Sequence, residues 1–305
     1  MYDSAPSVET MPVAAVQILW RSWPGGLRTG YAPKGPFVCS GGDNRRIFSA
    51  SIIPSLLHQF GDVRTPQLRI EPPITDSHRL SLSFGRSGAR RAIHHIQPQH
   101  TVLVDLQPPE DEILRRMESK TRYNIRLAQR RGVIIREGTG DSDVDTFLNL
   151  HEETVERDAY HAHGRDYLRR FLTRFGNAAT LYLASVAGED VAGIVVVIHG
   201  GDAIYLYGAS GNRHRQHMPN YLLQWEAMRR AKHAGCKTYD MWGTSPPGAV
   251  DDAKFGLYRF KHGFGQYRVW TGCWDIPTAF WYPLYRLAEK TRRDGLLTTI
   301  RGTSV

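Results

Sequence analysis

The spacing of apolar and polar positions changes repeatedly along the chain, and each change marks an element. Val13 to Trp20 alternates and reads as a strand ended by the turn Pro24-Gly25-Gly26, with a hairpin partner expected around Leu27 to Tyr31. In Pro33-Lys34-Gly35-Pro36 two restrained residues flank a free one, which predicts a shaped loop carrying one cation. A helix is predicted from Ile47 to Phe60 with Leu56, Leu57 and Phe60 inward, followed by strands at Gln67 to Ile70 and Ala92 to Ile96. Glu110, Asp111 and Glu112 open a helical pattern that closes with Arg130, Arg131 and Gly132, so one helix is expected over 110–131. A strand from Val133 to Arg136 and a helix from Asp143 to about Arg157 come next. Between Thr180 and Gly208, apolar strands separated by Gly188-Glu189-Asp190 and Gly200-Gly201-Asp202 predict an antiparallel meander. Pro219 opens and Gly235 closes a helix that feeds a short strand, Tyr239 to Trp242. A strand from Gln266 to Trp274 and a basic amphipathic helix from Pro277 to Arg293 complete the pattern.

The order strand, helix, helix, meander, helix, strand resembles an acyl-CoA N-acyltransferase (GNAT-like) core. Length adds a second unit, since 305 residues is room for two domains. Apolar residues at 41% and charged residues at 23% are those of an ordinary globular chain, which excludes disorder and fibrous repeats. The 39 Lys and Arg against 30 Asp and Glu leave a charge of +9, which favours polyanionic partners such as RNA, phosphorylated substrates or an anionic membrane face. Cys39, Cys236 and Cys273 have no metal-ligand spacing and suit a reducing cytoplasm. No apolar run is long enough to span a bilayer, and Met1 to Thr10 lacks the layout of a signal peptide.

Several segments carry candidate chemistry. On a helix over 110–131, Arg115, Arg122, Arg126 and Arg130 form one stripe and Ile113, Met117 and Ala128 another. A cationic ridge for phosphates and a solvated helix face both fit. Tyr205 and Tyr207 lie two apart on a strand before Gly208, so they are expected to share a face, as a cleft lining or as cross-strand packing. In Leu257-Tyr258-Arg259-Phe260-Lys261-His262-Gly263-Phe264-Gly265, a lysine among aromatics and glycines suggests a cation set to meet a carboxylate, a phosphate or an oxyanion; a surface lysine beside a buried turn is the alternative. None of the histidine pairs has zincin or triad spacing, and phosphate-loop, GxSxG and GxGxxG motifs are missing. A CoA-binding GNAT enzyme cradles pyrophosphate with a glycine loop after the meander; here that position reads Arg213-His214-Arg215-Gln216-His217-Met218-Pro219-Asn220, without glycine.

Tyr31-Ala32-Pro33-Lys34-Gly35-Pro36, Lys120-x-Arg122-Tyr123-Asn124-Ile125-Arg126-x-Ala128, Pro219-Asn220-Tyr221-Leu222-Leu223-Gln224-Trp225-Glu226, Tyr239-Asp240-x-x-Gly243 and Phe260-Lys261-x-Gly263-Phe264-Gly265 together resemble the FemABX family of non-ribosomal peptidyltransferases. The resemblance runs from about Val13 to Trp274. It implies an α/β (α+β) fold of two tandem GNAT-like domains with mixed, mostly antiparallel sheets flanked by helices. The first would span 1–98 plus 272–305, lacking an initial strand and helix usual in the family, and the second 99–271. The implied activity moves an amino acid from aminoacyl-tRNA to an amino group of a peptidoglycan precursor, UDP-linked or lipid-linked, without a cofactor or metal. Acyl-CoA-dependent acylation and an inactive precursor- or RNA-binding remnant are the alternatives.

By the same resemblance, Phe260 and Lys261 match a position near the acceptor end of the tRNA, and Tyr167, Tyr205 and Tyr207 match residues of the precursor channel. His163 stands where the family tends to place an arginine for the diphosphate, with Arg165 as a substitute. Lys34, Asn220, Tyr221 and Asp240 are expected to contact substrate, and Arg122 and Arg126 the tRNA phosphates. The implied location is the cytoplasm, at the inner membrane face for a lipid-linked acceptor. The last helix, with Arg286, Lys290, Arg292 and Arg293 beside Trp281, Tyr282 and Tyr285, is expected to pack on the first domain, a contact with anionic lipid being the alternative.

Overall fold

Local turn chemistry builds the hairpins and tertiary partners decide the rest. The protein is represented by a computed structural model that describes residues 14–39, 46–47, 52–158, 163–249 and 255–291. The chain divides into two units, residues 1–99 with 269–305 and residues 100–268.

In the first unit the strands are β1 (Ala14–Ala15), β2 (Leu19–Ser22), β3 (Arg28–Pro33), β4 (Phe37–Cys39), β5 (Arg46–Ile47), β6 (Gln67–Glu71) and β7 (Arg90–Arg91), with helices α1 (Ile52–Phe60) and α2 (His78–Arg86). The expected opening strand is two strands in different sheets, β1 pairing with β4 and β2 with β3. Gly25 and Gly26 take positive φ at the predicted turn. The helix expected from Ile47 begins at Ile52, because Arg46 and Ile47 pair with Cys39 and Val38. Ile53 and Leu56 are buried in it, while the side chain of Leu57 lies outside the described residues. The main sheet runs β2-β3-β6, then a strand returning from the other end of the chain, Trp274–Pro277, then β7. Only β3 and β6 are parallel in it, joined through α1. Ala92 to Ile96, expected as a strand, is irregular because its residues turn to bond the returning strand: the Ala92 amide donates to the Cys273 carbonyl.

The second unit contains β8 (His100–Asp105), α3 (Glu110–Arg116), α4 (Ser119–Arg130), β9 (Ile134–Glu137), α5 (Asp141–Asp158), α6 (Arg165–Phe175), the meander β10 (Ala179–Val186), β11 (Glu189–His199) and β12 (Asp202–Ser210), α7 (Pro219–His233), β13 (Thr238–Asp240), α8 (Phe255–His262) and β14 (Gln266–Val269). Its sheet order is β14-β8-β13-β12-β11-β10-β9. Again a parallel pair, β12 with β13, is joined by a helix crossover, α7, and has an antiparallel neighbour on each side. Both units are therefore mixed, mostly antiparallel sheets flanked by helices. The long segment expected as one strand, Gln266 to Trp274, serves both units, with β14 in one sheet and Trp274–Pro277 in the other.

The helix expected over 110–131 breaks at Met117 and Glu118, both in extended backbone. The cause is tertiary: Met117 is buried, the Glu118 amide donates to the Gly263 carbonyl at 2.9 Å, and the Glu118 carboxylate meets His262 at 3.0 Å. Carbonyls freed by the break are taken up by Arg122, which donates to the oxygens of Arg115 and Met117. The predicted arginine stripe is thus interrupted, and Arg122 caps a helix end. Among the described residues no helix is long and apolar enough to cross a membrane.

Candidate active site

One turn of backbone gathers the site in the second unit. β13 ends at Asp240, whose carboxylate accepts the Trp242 amide two residues on at 2.8 Å and the Thr101 hydroxyl from β8. Trp242 takes φ of 61°, a left-handed conformation that costs a non-glycine residue about 1 kcal/mol or more. This turn directs the carbonyls of Trp242 and Gly243 at Lys261 from α8. The Lys261 ammonium donates to Gly243 O at 2.8 Å, lies 3.5 Å from Trp242 O, and sits 5.1 Å from the centre of the Tyr205 ring. Lys261 is 4% exposed. Burial pulls its pKa down to about 7, against the supporting negative charge of Asp240. A surface lysine beside a turn, the alternative for this segment, does not describe it.

The glycines of Gly263-Phe264-Gly265 are required by close approach: a Cβ at Gly265 would overlap the Leu103 carbonyl of β8. Beside Lys261, Phe260 stacks edge-on against Tyr221 with ring centres 5.0 Å apart. Two clefts share this aromatic pair. One, of about 210 Å³, is lined by Ser210, Arg213, Arg215, Asn220, Tyr221 and Phe260 among others. The other, of about 420 Å³, is lined by Lys120, Tyr221, Tyr258, Arg259, Phe260 and His262 among others. Lys261 lines neither cleft, whereas its sequence neighbour Phe260 lines both. In the segment that replaces the glycine loop, His214 and Met218 take positive φ around a 3₁₀ turn, Arg215–His217. The His217 and Met218 amides are spent on that turn, donating to His214 and Arg215 carbonyls.

Tyr205 and Tyr207 do not share a face. β11 and β12 slip by one residue between Val195 and Val196, so Val195 pairs with Tyr207 and Val196 with Tyr205, leaving Leu206 as the extra residue of a bulge. Tyr205 packs with the core under α7 and β13, and Tyr207 with the core under α5 and α6. A Cβ at Gly208 would overlap the Tyr205 hydroxyl, which explains the glycine after the second tyrosine.

Tyr207 instead belongs to a second group, in which His163 stacks on Tyr167 at 4.1 Å and meets Tyr207 edge-on at 6.2 Å. Burial, with a hydrogen bond to Tyr167, holds the Tyr207 phenol above its ordinary range. Arg165, expected to stand in for a diphosphate-binding arginine, is engaged by Asp145 at 2.8 Å and Glu152 at 3.2 Å. Arg126 is exposed, and Lys34 lies in the first unit with its ammonium 5.1 Å from the Trp270 ring. Thr101, Gln224, which accepts the buried Tyr239 hydroxyl at 2.8 Å, and the carbonyls of Trp242 and Gly243 were not foreseen. For the smaller cleft, Asn220, Tyr221 and Phe260 were expected, and the charge pattern around Arg213 and Arg215 was the available signal for the remaining cations.

Elsewhere, Glu71, His95 and Cys273 of the first unit bring their donor atoms within 4.8 Å of one another. Their spacing would suit a metal triad, but Glu71 accepts from Tyr31 and the Gln97 amide, and His95 Nδ1 accepts from the Cys273 amide at 2.9 Å. Burial and the neighbouring Glu71 push the Cys273 thiol up, keeping it protonated. A closed hydrogen-bond network accounts for all three side chains.

Two units, each a mixed sheet built around a helix crossover, have the architecture of tandem N-acyltransferase-like domains. Residues 80–190 and 187–290 match the model of the FemAB family, and the chain belongs to that family. It is 23% identical over 276 residues to the lipid II:glycine glycyltransferase of Staphylococcus epidermidis, covering 69% of this chain. The chain spans 66% of that relative's length, just under two thirds. It is 22% identical over 306 residues to the Staphylococcus aureus (strain COL) enzyme of the same name, covering 75% of this chain and 72% of that one. Among solved structures, the crystal structure of FemX superposes with a TM-score of 0.78 at 19% identity, covering 93% of this chain and 89% of that chain. L-PGS from Bacillus licheniformis aligns with a TM-score of 0.53 at 13% identity, covering 90% and 84%.

Proposed function

We propose that the chain is an aminoacyltransferase that moves an amino acid from aminoacyl-tRNA to an amino group of a peptidoglycan precursor, with the lipid-linked form as acceptor. The observation that carries this reading is Lys261, an amine with a pKa of about 7, buried one residue from the wall of two clefts. Family membership and relatives named lipid II:glycine glycyltransferase support the precursor as acceptor. The +9 surplus suits two polyanionic substrates.

In this reaction the acceptor's neutral amine attacks the ester carbonyl, a C–N bond forms, and the bond to the tRNA ribose oxygen breaks. The ribose oxygen leaves with one proton and the amine loses one, so the balance needs no external oxidant or base. For the transfer, the side chains around Phe260 must move to uncover Lys261, whose protonated form then stabilises the developing negative charge and gives a proton to the leaving oxygen; a pKa near 7 suits both directions of transfer. The activated acyl group arrives as an ester, so the chemistry calls for no metal or cofactor. An acyl-CoA donor is disfavoured because the segment that would cradle its pyrophosphate has no glycine and spends the His217 and Met218 amides on its own turn.

The test offers the purified chain radiolabelled aminoacyl-tRNAs or acetyl-CoA, each with lipid-linked and UDP-linked precursor. Transfer from aminoacyl-tRNA to the lipid-linked acceptor is expected. Label arriving from acetyl-CoA alone, or from no donor at all, overturns the reading.

A further inference from the structure

The helix over residues 282–291 is attached to the first unit by one side only. The Trp281 indole donates to the Val63 carbonyl at 2.9 Å, and the buried Tyr282 donates to Asp275 at 3.2 Å. Arg286 donates to the Tyr282 hydroxyl at 3.0 Å, and Glu289 is held by Arg69 at 3.0 Å. These contacts bear out the expected packing, and they also fix which side faces out. Pro283, Leu284, Leu287, Ala288 and Thr291 are all exposed, and at about 100° per residue they form one stripe, with the exposed Phe280 in the turn just before the helix. Phe280 is 89% exposed, Leu284 70% and Leu287 60%. A helix that packs on a globular body ordinarily turns its apolar side inward; here the polar and aromatic side is tethered and the apolar side is presented.

We infer that this face is a membrane-docking surface that lays the first unit on an anionic bilayer. Charge decides between the candidate occupants. Lys290 is exposed at the margin of the stripe, and Arg292 and Arg293 follow in sequence. A second copy of the chain would bring these cations against their own kind, whereas anionic headgroups neutralise them while the acyl boundary receives Phe280, Leu284 and Leu287. The choice of a bilayer rests in part on the proposed lipid-linked acceptor, which lies in that same surface.

Flotation of the full 305-residue chain with vesicles of equal parts phosphatidylglycerol and phosphatidylcholine tests this. The protein floats with these vesicles and less with phosphatidylcholine alone. Leu284→Glu/Leu287→Glu lowers the apparent affinity roughly tenfold or more at an unchanged melting temperature. Phe280→Ser, at the most exposed position, gives the same direction should the double variant fold poorly. No flotation of the unaltered chain, equal flotation of the variants, or a dimer that the variants convert to monomer overturns the inference. The vesicles contain neither donor nor acceptor, so the result stands apart from the transfer assay.

Discussion

Each unit buries a cation, and the two are treated differently. In the first, Arg69 on β6 faces Asp275 in register on the returning strand, with Nε 2.6 Å and Nη2 3.1 Å from its carboxylate, and Glu289 3.0 Å away. Burial works against the guanidinium's charge, but the hydrogen bond and field of Asp275, with Glu289 behind it, hold its pKa above the ordinary range. In the second, among the described residues, Lys261 has two backbone carbonyls and a phenol ring, and the carboxylate that supports it, Asp240, also accepts from Thr101 and the Trp242 amide. Two matched carboxylates make a structural charge that cannot change. Carbonyls without a matched anion leave a proton that can be given up near neutral pH, as the proposed transfer needs.

Replacing each cation by methionine is the severest way to break this contrast. Lys261→Met is expected to lower turnover roughly 10²- to 10⁴-fold. It should also stabilise the fold. The lysine pKa falls from 10.5 when free to about 7 when folded, so the unfolded chain holds a proton in that interval which the native chain has released. Native stability therefore rises with pH from about 7 to about 10.5. The penalty removed by methionine is at most about 5 kcal/mol, present in full below pH about 7 and gone near pH about 10.5. Urea denaturation of both proteins across that range measures it; a variant equally or less stable at pH about 6 would show that the ammonium is well compensated.

Arg69→Met should do the reverse, leaving Asp275 and Glu289 buried without their partner and costing about 3–5 kcal/mol. Refolded protein should keep its turnover per folded molecule. A loss under about 1 kcal/mol would mean that the first unit relaxes around the uncovered carboxylates and that its ion pair is no more structural than a surface one.

How much of this contrast was readable in the chain depends on the range of the forces involved. The meander, α7 and α5 follow from turn glycines, Pro219 and local periodicity, and they were read close to where they lie. The break at Met117 and Glu118 was not readable, because its cause is the Gly263 carbonyl, far along the chain. Nor was the division of Gln266 to Trp274 between sheets, since a strand's partner is not a local property. The bulge at Leu206 reversed the expected facing of Tyr207, a slip that leaves no mark in an alternating pattern. In the site, the segment of Phe260 and Lys261 stood out by residue type, while Tyr221 and Asp240 came only from the family resemblance. Backbone carbonyls such as those of Trp242 and Gly243 have no side-chain signature, and Thr101 is tied to Asp240 only through the pairing of β8 with β13.

The finest test of the comparison neutralises a carboxylate in each unit without changing its shape. Asp240 raises the Lys261 pKa against the stronger effect of burial, so Asp240→Asn should lower it further below about 7. If the protonated lysine is the working form, activity is lost as pH rises through that pKa. The alkaline limb of kcat/KM then moves to lower pH in Asp240→Asn, by roughly half a pH unit to one unit. Asparagine keeps an oxygen to accept the Trp242 amide and the Thr101 hydroxyl, so the strained turn and the melting temperature should change little. In the first unit, Asp275→Asn removes a charge paired directly with Arg69, so it should lower stability and leave the limb in place. A limb that stays put in Asp240→Asn, or that moves equally in both variants, would mean that Lys261 is as structural as Arg69 and that the titrating group of the reaction lies elsewhere.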